Sequence, residues 1–150
     1  MRVVAIIQAR MRSTRLPGKV LLPVAGRPVL EHIIRRLRRA RSVHDIAVTT
    51  STESEDEAIV QFCAGLGVKV FRGPEADVLG RFEIAARALD PDIIVRVTGD
   101  SPLIDPLFLD TLVGEMLRTG ADFLTLKDGT QCIQEGVDPF SRRALRVLLG

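Results

Sequence analysis

The stretch VVAIIQARMRSTRLPGKVLL, residues 3–22, decides how the rest of this chain is read. Val3, Val4, Ala5, Ile6 and Ile7 form an unbroken apolar run, short enough for a strand covered on both faces. After Gln8 the character changes, and Arg10, Arg12, Arg15 and Lys19 follow within one loop. Beyond it, Gly26-Arg27-Pro28 opens a helical pattern. The cations therefore gather at the carboxyl end of a buried strand, where open α/β sheets hold their ligands. The ligand this predicts is a polyphosphate. Ser13 and Thr14 add hydroxyl donors, and Pro17-Gly18 stiffens and then frees the backbone before Lys19, so that main-chain N–H groups can turn toward an anion. The spacing is not that of the phosphate loop GxxxxGK[ST], because Val20 follows Lys19 and Ser13 stands where the first glycine belongs. With 21 Lys plus Arg in 150 residues, charge alone leaves phosphate binding and a plain solvated loop equally open.

Outward from that stretch, strand and helix patterns alternate five times. Val29, Leu30, Ile33, Ile34, Leu37 and Ala40 make one apolar stripe at helical period, and the arginines from Arg35 to Arg41 fall on its solvated face. His44 to Thr50 reads as a second strand, with Thr49-Thr50-Ser51-Thr52 as a polar loop where a base or ribose can lie. Ser54 and Glu57 have capping-box spacing and predict the next helix, with Ala58, Ile59, Phe62, Cys63 and Leu66 inward. Val68 to Phe71 is a short third strand. Asp77 can cap a helix carrying Val78, Phe82, Ala85, Ala86 and Leu89, whose interior Gly80 weakens. Asp92 to Val97 is the fourth strand and runs into Thr98-Gly99-Asp100. An acid just past a buried strand suits Mg²⁺, which takes oxygen ligands; a plain turn with Gly99 at positive φ fits equally well. Asp105-Pro106 opens a helix that Gly120 ends. Asp122 to Lys127 is expected to be a fifth strand, Asp128-Gly129 a turn, and Ser141 the approach to a last helix. Arg96, within a buried strand, must find an edge, a partner charge or the ligand.

A chain of 150 residues with 46% apolar content is read as one domain, residues 1–150, with a single core. The formal net charge is only +2 and all six aromatic residues are Phe, which argues against nucleic acid as a partner. No apolar run approaches the roughly 18 residues of a membrane span, so no membrane is expected. Cys63 and Cys132 lack a CxxC partner, which predicts a reduced, cytoplasmic setting with cysteines as core fillers. Neither His32 nor His44 offers Cys63 a nucleophilic pair.

The run IIQARMRSTRLPGKVL resembles the amino-terminal signature of nucleotidyltransferases that make nucleotide sugars, most closely the spore coat polysaccharide protein F branch, related to the cytidylyltransferases that make CMP-sugars. VKVFRGPEADVLGRFEIAA (residues 68–86) and IVRVTGDSPLIDP (residues 94–106) resemble the same branch. The resemblance implies a three-layer α/β fold: a mostly parallel, Rossmann-like sheet with helices on both faces, its carboxyl-terminal part short or missing. It further implies that Arg10, Arg15 and Lys19 contact the phosphates of CTP and that Asp100 holds Mg²⁺, with Arg10, Lys19 and Asp100 as the catalytic set. Ala9 and Ser13 would complete the loop's contacts, and Asp77 and Arg81 a wall of the nucleotide site. The implied reaction is transfer of a cytidylyl group to a sugar, with release of pyrophosphate. A glycosyltransferase and a non-catalytic nucleotide-binding module are the alternatives. An apolar edge left by the short carboxyl end would suit a homodimer.

Overall fold

In a computed structural model, which describes residues 1–126, 134 and 136–150, the apolar run becomes the middle of a five-stranded sheet. The elements in chain order are β1 (Val3–Gln8), a minimal hairpin of β2 (Pro23–Val24) and β3 (Arg27–Pro28), α1 (Val29–Leu37), β4 (Asp45–Ser51), α2 (Glu57–Gly65), β5 (Lys69–Gly73), α3 (Val78–Leu89), β6 (Ile93–Thr98), α4 (Pro106–Thr119), β7 (Val137–Ser141) and α5 (Arg142–Leu149). The strand order is β5-β4-β1-β6-β7. The first four are parallel, and β7 closes the sheet antiparallel to β6.

Val3 to Ile7 are all buried because the sheet is covered twice. Val3, Ala5 and Ile7 face a core built with Leu30, Ile33, Ile34 and Leu37 of α1, Ile59 and Cys63 of α2, and Leu109 and Val113 of α4. Val4 and Ile6 face a smaller core with Phe82, Ala85 and Ala86 of α3 and Leu145 of α5. This alternation is the period-two consequence of a strand with two dry faces. β1 is flanked by β4 on one side and β6 on the other, and the loops that follow β1 and β6 lie side by side at the carboxyl edge of the sheet, where open α/β sheets hold their ligands.

Two sequence expectations are corrected. The fifth strand of the sheet is Val137–Ser141; residues 122–126 form no named strand, although Phe123 makes an isolated bridge to Phe140 and Asp122 and Leu124 share backbone hydrogen bonds with Ser141 and Pro139, while Lys127 and the Asp128-Gly129 turn lie outside the described residues, as does Cys132. Pro139 is tolerated in β7 because it is an edge strand. The Ser54–Glu57 capping box does not form: Ser54–Asp56 is a 3₁₀ turn, and the N-cap position of α2 is Asp56. The other caps read from sequence are present: Asp77 accepts from the Gly80 N–H, Asp105 from Leu107, and Gly120 ends α4 at φ 67°; Ser141, read from sequence only as the approach to the last helix, caps α5 by accepting from Ala144. Arg96 finds a partner charge, Asp138, at 3.1 Å. Among the described residues no helix is long and apolar enough to cross a membrane.

Candidate functional site

A cavity of about 290 Å³ opens at the carboxyl ends of β1 and β6, lined by Gln8, Ala9, Arg10, Arg12, Ser13, Thr14, Arg15, Lys19, Val20, Arg96, Thr98, Gly99 and Asp100. It brings together Ala9, Arg10, Ser13, Arg15, Lys19 and Asp100 of the residues singled out from sequence. Asp77 and Arg81 are not among its lining.

The loop is shaped by its own backbone. The Ala9 N–H donates to Thr49 O at 3.1 Å, and the Gly18 N–H to Met11 O at 2.7 Å, so the chain leaves the sheet, pinches shut between residues 11 and 18, and exposes its tip. Gly18 takes φ 70°, a conformation glycine adopts without strain. Lys19–Leu21 is then a 3₁₀ turn that buries Val20 and turns Lys19 into the cavity. From the other side, the Gly99 N–H donates to Gln8 O at 2.9 Å, and a Cβ at Gly99 would lie 2.8 Å from that same oxygen. Gly99 is therefore needed for close approach, not for positive φ, and it brings Asp100 against the loop.

Lys19 Nζ stands 2.7 Å from Asp100 Oδ2. The Lys19 hydrogen bond, helped by Thr98 and opposed by partial burial, holds the Asp100 carboxyl below its ordinary value. Arg10 and Arg12 are bridged by one acid: Glu75 lies 3.6 Å from Arg10 Nη1 and 3.2 Å from Arg12 Nη1. Arg12 also reaches Glu53 and Glu55. Arg15 has no ion pair among the described residues, so it is the free cation at the loop tip. Asp100 and the Thr98 hydroxyl offer hard oxygen donors, and among the described residues there is no group of three His, Cys, Asp or Glu that could hold a metal. A single carboxylate suits Mg²⁺ only when substrate phosphates complete its shell.

Asp77 and Arg81 serve the site from behind. Asp77 Oδ1 accepts the Gly80 N–H at 2.8 Å, and a Cβ at Gly80 would sit 2.1 Å from Asp77 Oδ2, so this helix glycine makes room for its own cap. Arg81 is 2% exposed and donates through Nη1 to Pro74 O and Glu75 O, both at 2.7 Å. Burial, with the like charge of Arg10 nearby, pushes its guanidinium below the usual range. It thus fixes the turn that presents Glu75 to the loop.

Three features escaped the sequence reading. β4, read from sequence as ending at Thr50, runs on to Ser51, and Thr49, Thr50 and Ser51 are buried rather than offered as a loop to a base or ribose. Asp56, 2% exposed, accepts from the Met11 N–H at 2.7 Å and from Thr50 and Ser51. Glu75 gave no local signal. Cys63 is fully buried, and desolvation pushes its thiol up to about 11, as expected of a core filler.

A sequence model of the cytidylyltransferase family matches residues 4–149. The chain belongs to the cytidylyltransferase family. Among relatives, this cytidylyltransferase-family chain is 38% identical over 125 residues to the spore coat polysaccharide biosynthesis protein SpsF of Bacillus subtilis, covering 81% of this chain and 52% of that one. It is 36% identical over 143 residues to the 3-deoxy-manno-octulosonate cytidylyltransferase of Geobacter sulfurreducens, covering 93% and 55%. A solved cytidylyltransferase from Leptospira borgpetersenii superposes with a TM-score of 0.91 at 36% identity, over 99% of this chain and 63% of that one. The chain spans about half the length of the curated relatives it matches.

Proposed function

We propose that this chain binds the triphosphate of CTP with Mg²⁺ and supports transfer of the cytidylyl group to a sugar, releasing pyrophosphate. The observation that carries the reading is the convergence of the β1 loop and the β6 end, with Lys19 Nζ 2.7 Å from Asp100. Two charges of opposite sign, held in one crevice with Arg15 free beside them, match what a metal–triphosphate needs: cations for the phosphate oxygens and an acid for the metal. The base and the acid-sugar acceptor follow from the family description and from the relative named for 3-deoxy-manno-octulosonate, and the metal from the chemistry of a carboxylate placed beside a phosphate site.

In this reading a sugar oxygen attacks the α-phosphorus in line. The new P–O bond forms as the bond to the β-phosphate breaks, and pyrophosphate leaves. Arg10, Arg15 and Lys19 neutralise the β- and γ-phosphates and stabilise the negative charge that grows on the leaving group. Main-chain donors around Ser13 fix the loop's grip. Asp100 would hold Mg²⁺, which supplies Lewis-acid polarisation of the phosphate oxygens. An anomeric hydroxyl would give its proton to solvent water as it attacks, whereas a sugar phosphate attacks already ionised. Lys19 pairs with Asp100 in the structure; with substrate bound, Lys19 would meet the phosphates and Asp100 would be released to hold the metal.

A glycosyltransferase is less well supported: those sites generally use a pair of carboxylates around the metal, and Asp100 is the one acid among the described residues lining this cavity. Incubation with CTP, Mg²⁺ and a panel of acid sugars, with pyrophosphate measured, tests the reading. Sugar-dependent release supports it. Binding of CTP without release marks a nucleotide-binding module instead, and turnover of a finished nucleotide sugar marks the glycosyltransferase.

A further inference from the structure

We propose that Asp56 is the positioning residue for the phosphate loop: through the Met11 amide it sets Arg10, Ser13, Arg15 and Lys19 in their binding geometry before any ligand arrives. This rests on the reading of the loop as a triphosphate site. Asp56 touches no cation within ion-pair distance among the described residues, yet it is 2% exposed. A carboxylate so placed is tolerable only when its lone pairs are taken up by donors. Here they are: Oδ1 accepts the Met11 N–H at 2.7 Å, while Oδ2 accepts Thr50 Oγ1 at 2.9 Å, the Ser51 N–H at 3.0 Å and Ser51 Oγ at 2.5 Å. Burial opposes the charge, but the bonds from Met11, Ser51 and Thr50 outweigh it and leave the carboxyl below its ordinary value. Every partner is a donor, so the position demands an acceptor-only group, which asparagine is not.

The consequence lies in Met11. Its N–H is held by Asp56, and its carbonyl receives the Gly18 N–H at 2.7 Å. One residue therefore both anchors the loop to the end of β4 and closes its neck. The ion pairs that also hold the loop, Arg10 with Glu75, Arg12 with Glu53, Glu55 and Glu75, and Lys19 with Asp100, are solvent-screened and individually weak. Without Asp56 the loop's cations must be ordered by the ligand itself, and that ordering subtracts from affinity.

The experiment is titration calorimetry of Asp56→Asn, Lys19→Met and the wild-type chain with inorganic pyrophosphate and Mg²⁺, with amide hydrogen exchange alongside. Asp56→Asn is expected to raise the Kd about tenfold. It should also speed exchange at Met11 and Gly18 while the β1 and β6 amides keep wild-type rates. A purely structural role would speed all amides together and leave the Kd of the folded protein unchanged, which overturns the proposal. Should Asp56→Asn not fold, the wild-type Met11 amide decides: strand-like protection is expected, and free exchange overturns it. If Lys19→Met binds as well as wild type, the triphosphate reading itself falls; if only Asp56→Asn binds normally, this inference alone falls.

Discussion

Lys19→Met separates a binding and catalytic role from a structural one. In the folded protein the lysine makes one ion pair, with Asp100 at 2.7 Å, and both side chains keep substantial exposure, 37% and 49%. Such a pair contributes no more than about 1 kcal/mol once solvent screening is allowed for. For a domain of this size that is a fall in Tm of at most about 2–4 °C. The role argued for the ammonium in the reaction is larger, because it meets charge that grows on the leaving phosphates. Removing one such donor typically costs about 10²–10³ in rate. The expected result is therefore near-native thermal unfolding with pyrophosphate release reduced at least about a hundredfold. Metal binding in the absence of nucleotide should move the other way: with its resident cation gone, Asp100 should take Mn²⁺ more tightly, as read by electron paramagnetic resonance. Release within about threefold of wild type would refute the assignment of the loop. A Tm drop far beyond a few degrees would show that Lys19 is chiefly structural.

Glu75→Gln removes the acid that bridges Arg10 and Arg12, so pyrophosphate affinity should rise about two- to fivefold, the range of exposed ion pairs, and calorimetry would detect it. Gly99→Ala places a Cβ 2.8 Å from Gln8 O, a backbone atom, and should cost about 1–3 kcal/mol in urea unfolding while displacing Asp100. Asp56 and Asp100 both have folded-state pKa values depressed below that of the unfolded chain. Their contribution is present above about pH 4 and is lost as pH falls from there through the lower folded-state values, so Asp56→Asn should flatten the acid limb of a urea-midpoint profile.

The sequence made the centre of the fold legible because the signals there are local. The apolar run Val3 to Ile7 could only be a doubly covered strand, and the caps at Asp77 and Asp105 lie within three residues of the amides they bind. The edge strand was misplaced for an equally local reason. Val137–Ser141 is five residues long, contains Pro139 and is stabilised by pairing with β6, some 40 positions earlier, as in Arg96 with Asp138. The cations of the loop and Asp100 were readable, since charge after an apolar strand is a pattern in one dimension. What organises them was not. Asp56 reaches Met11 across 45 residues, and Arg81 holds a turn whose acid then meets Arg10 and Arg12. Ser54 and Glu57 have the spacing of a cap, whereas the role of Asp56 depends on burial and on a loop folded back over β4. Gly80 shows the same limit: from sequence it only weakens the interior of α3, whereas in the structure the space it leaves is filled by Asp77.

The central claim is that the β1 loop and the β6 end close on one metal–triphosphate. A crystal of the chain with CTP and Mn²⁺, examined by anomalous scattering, tests it most directly. The expected result is a manganese peak about 2.1 Å from an Asp100 carboxylate oxygen, with Lys19 and Arg15 turned onto the phosphates. A triphosphate bound elsewhere, for instance on the arginine face of α1, with Lys19 still paired to Asp100, would overturn the reading.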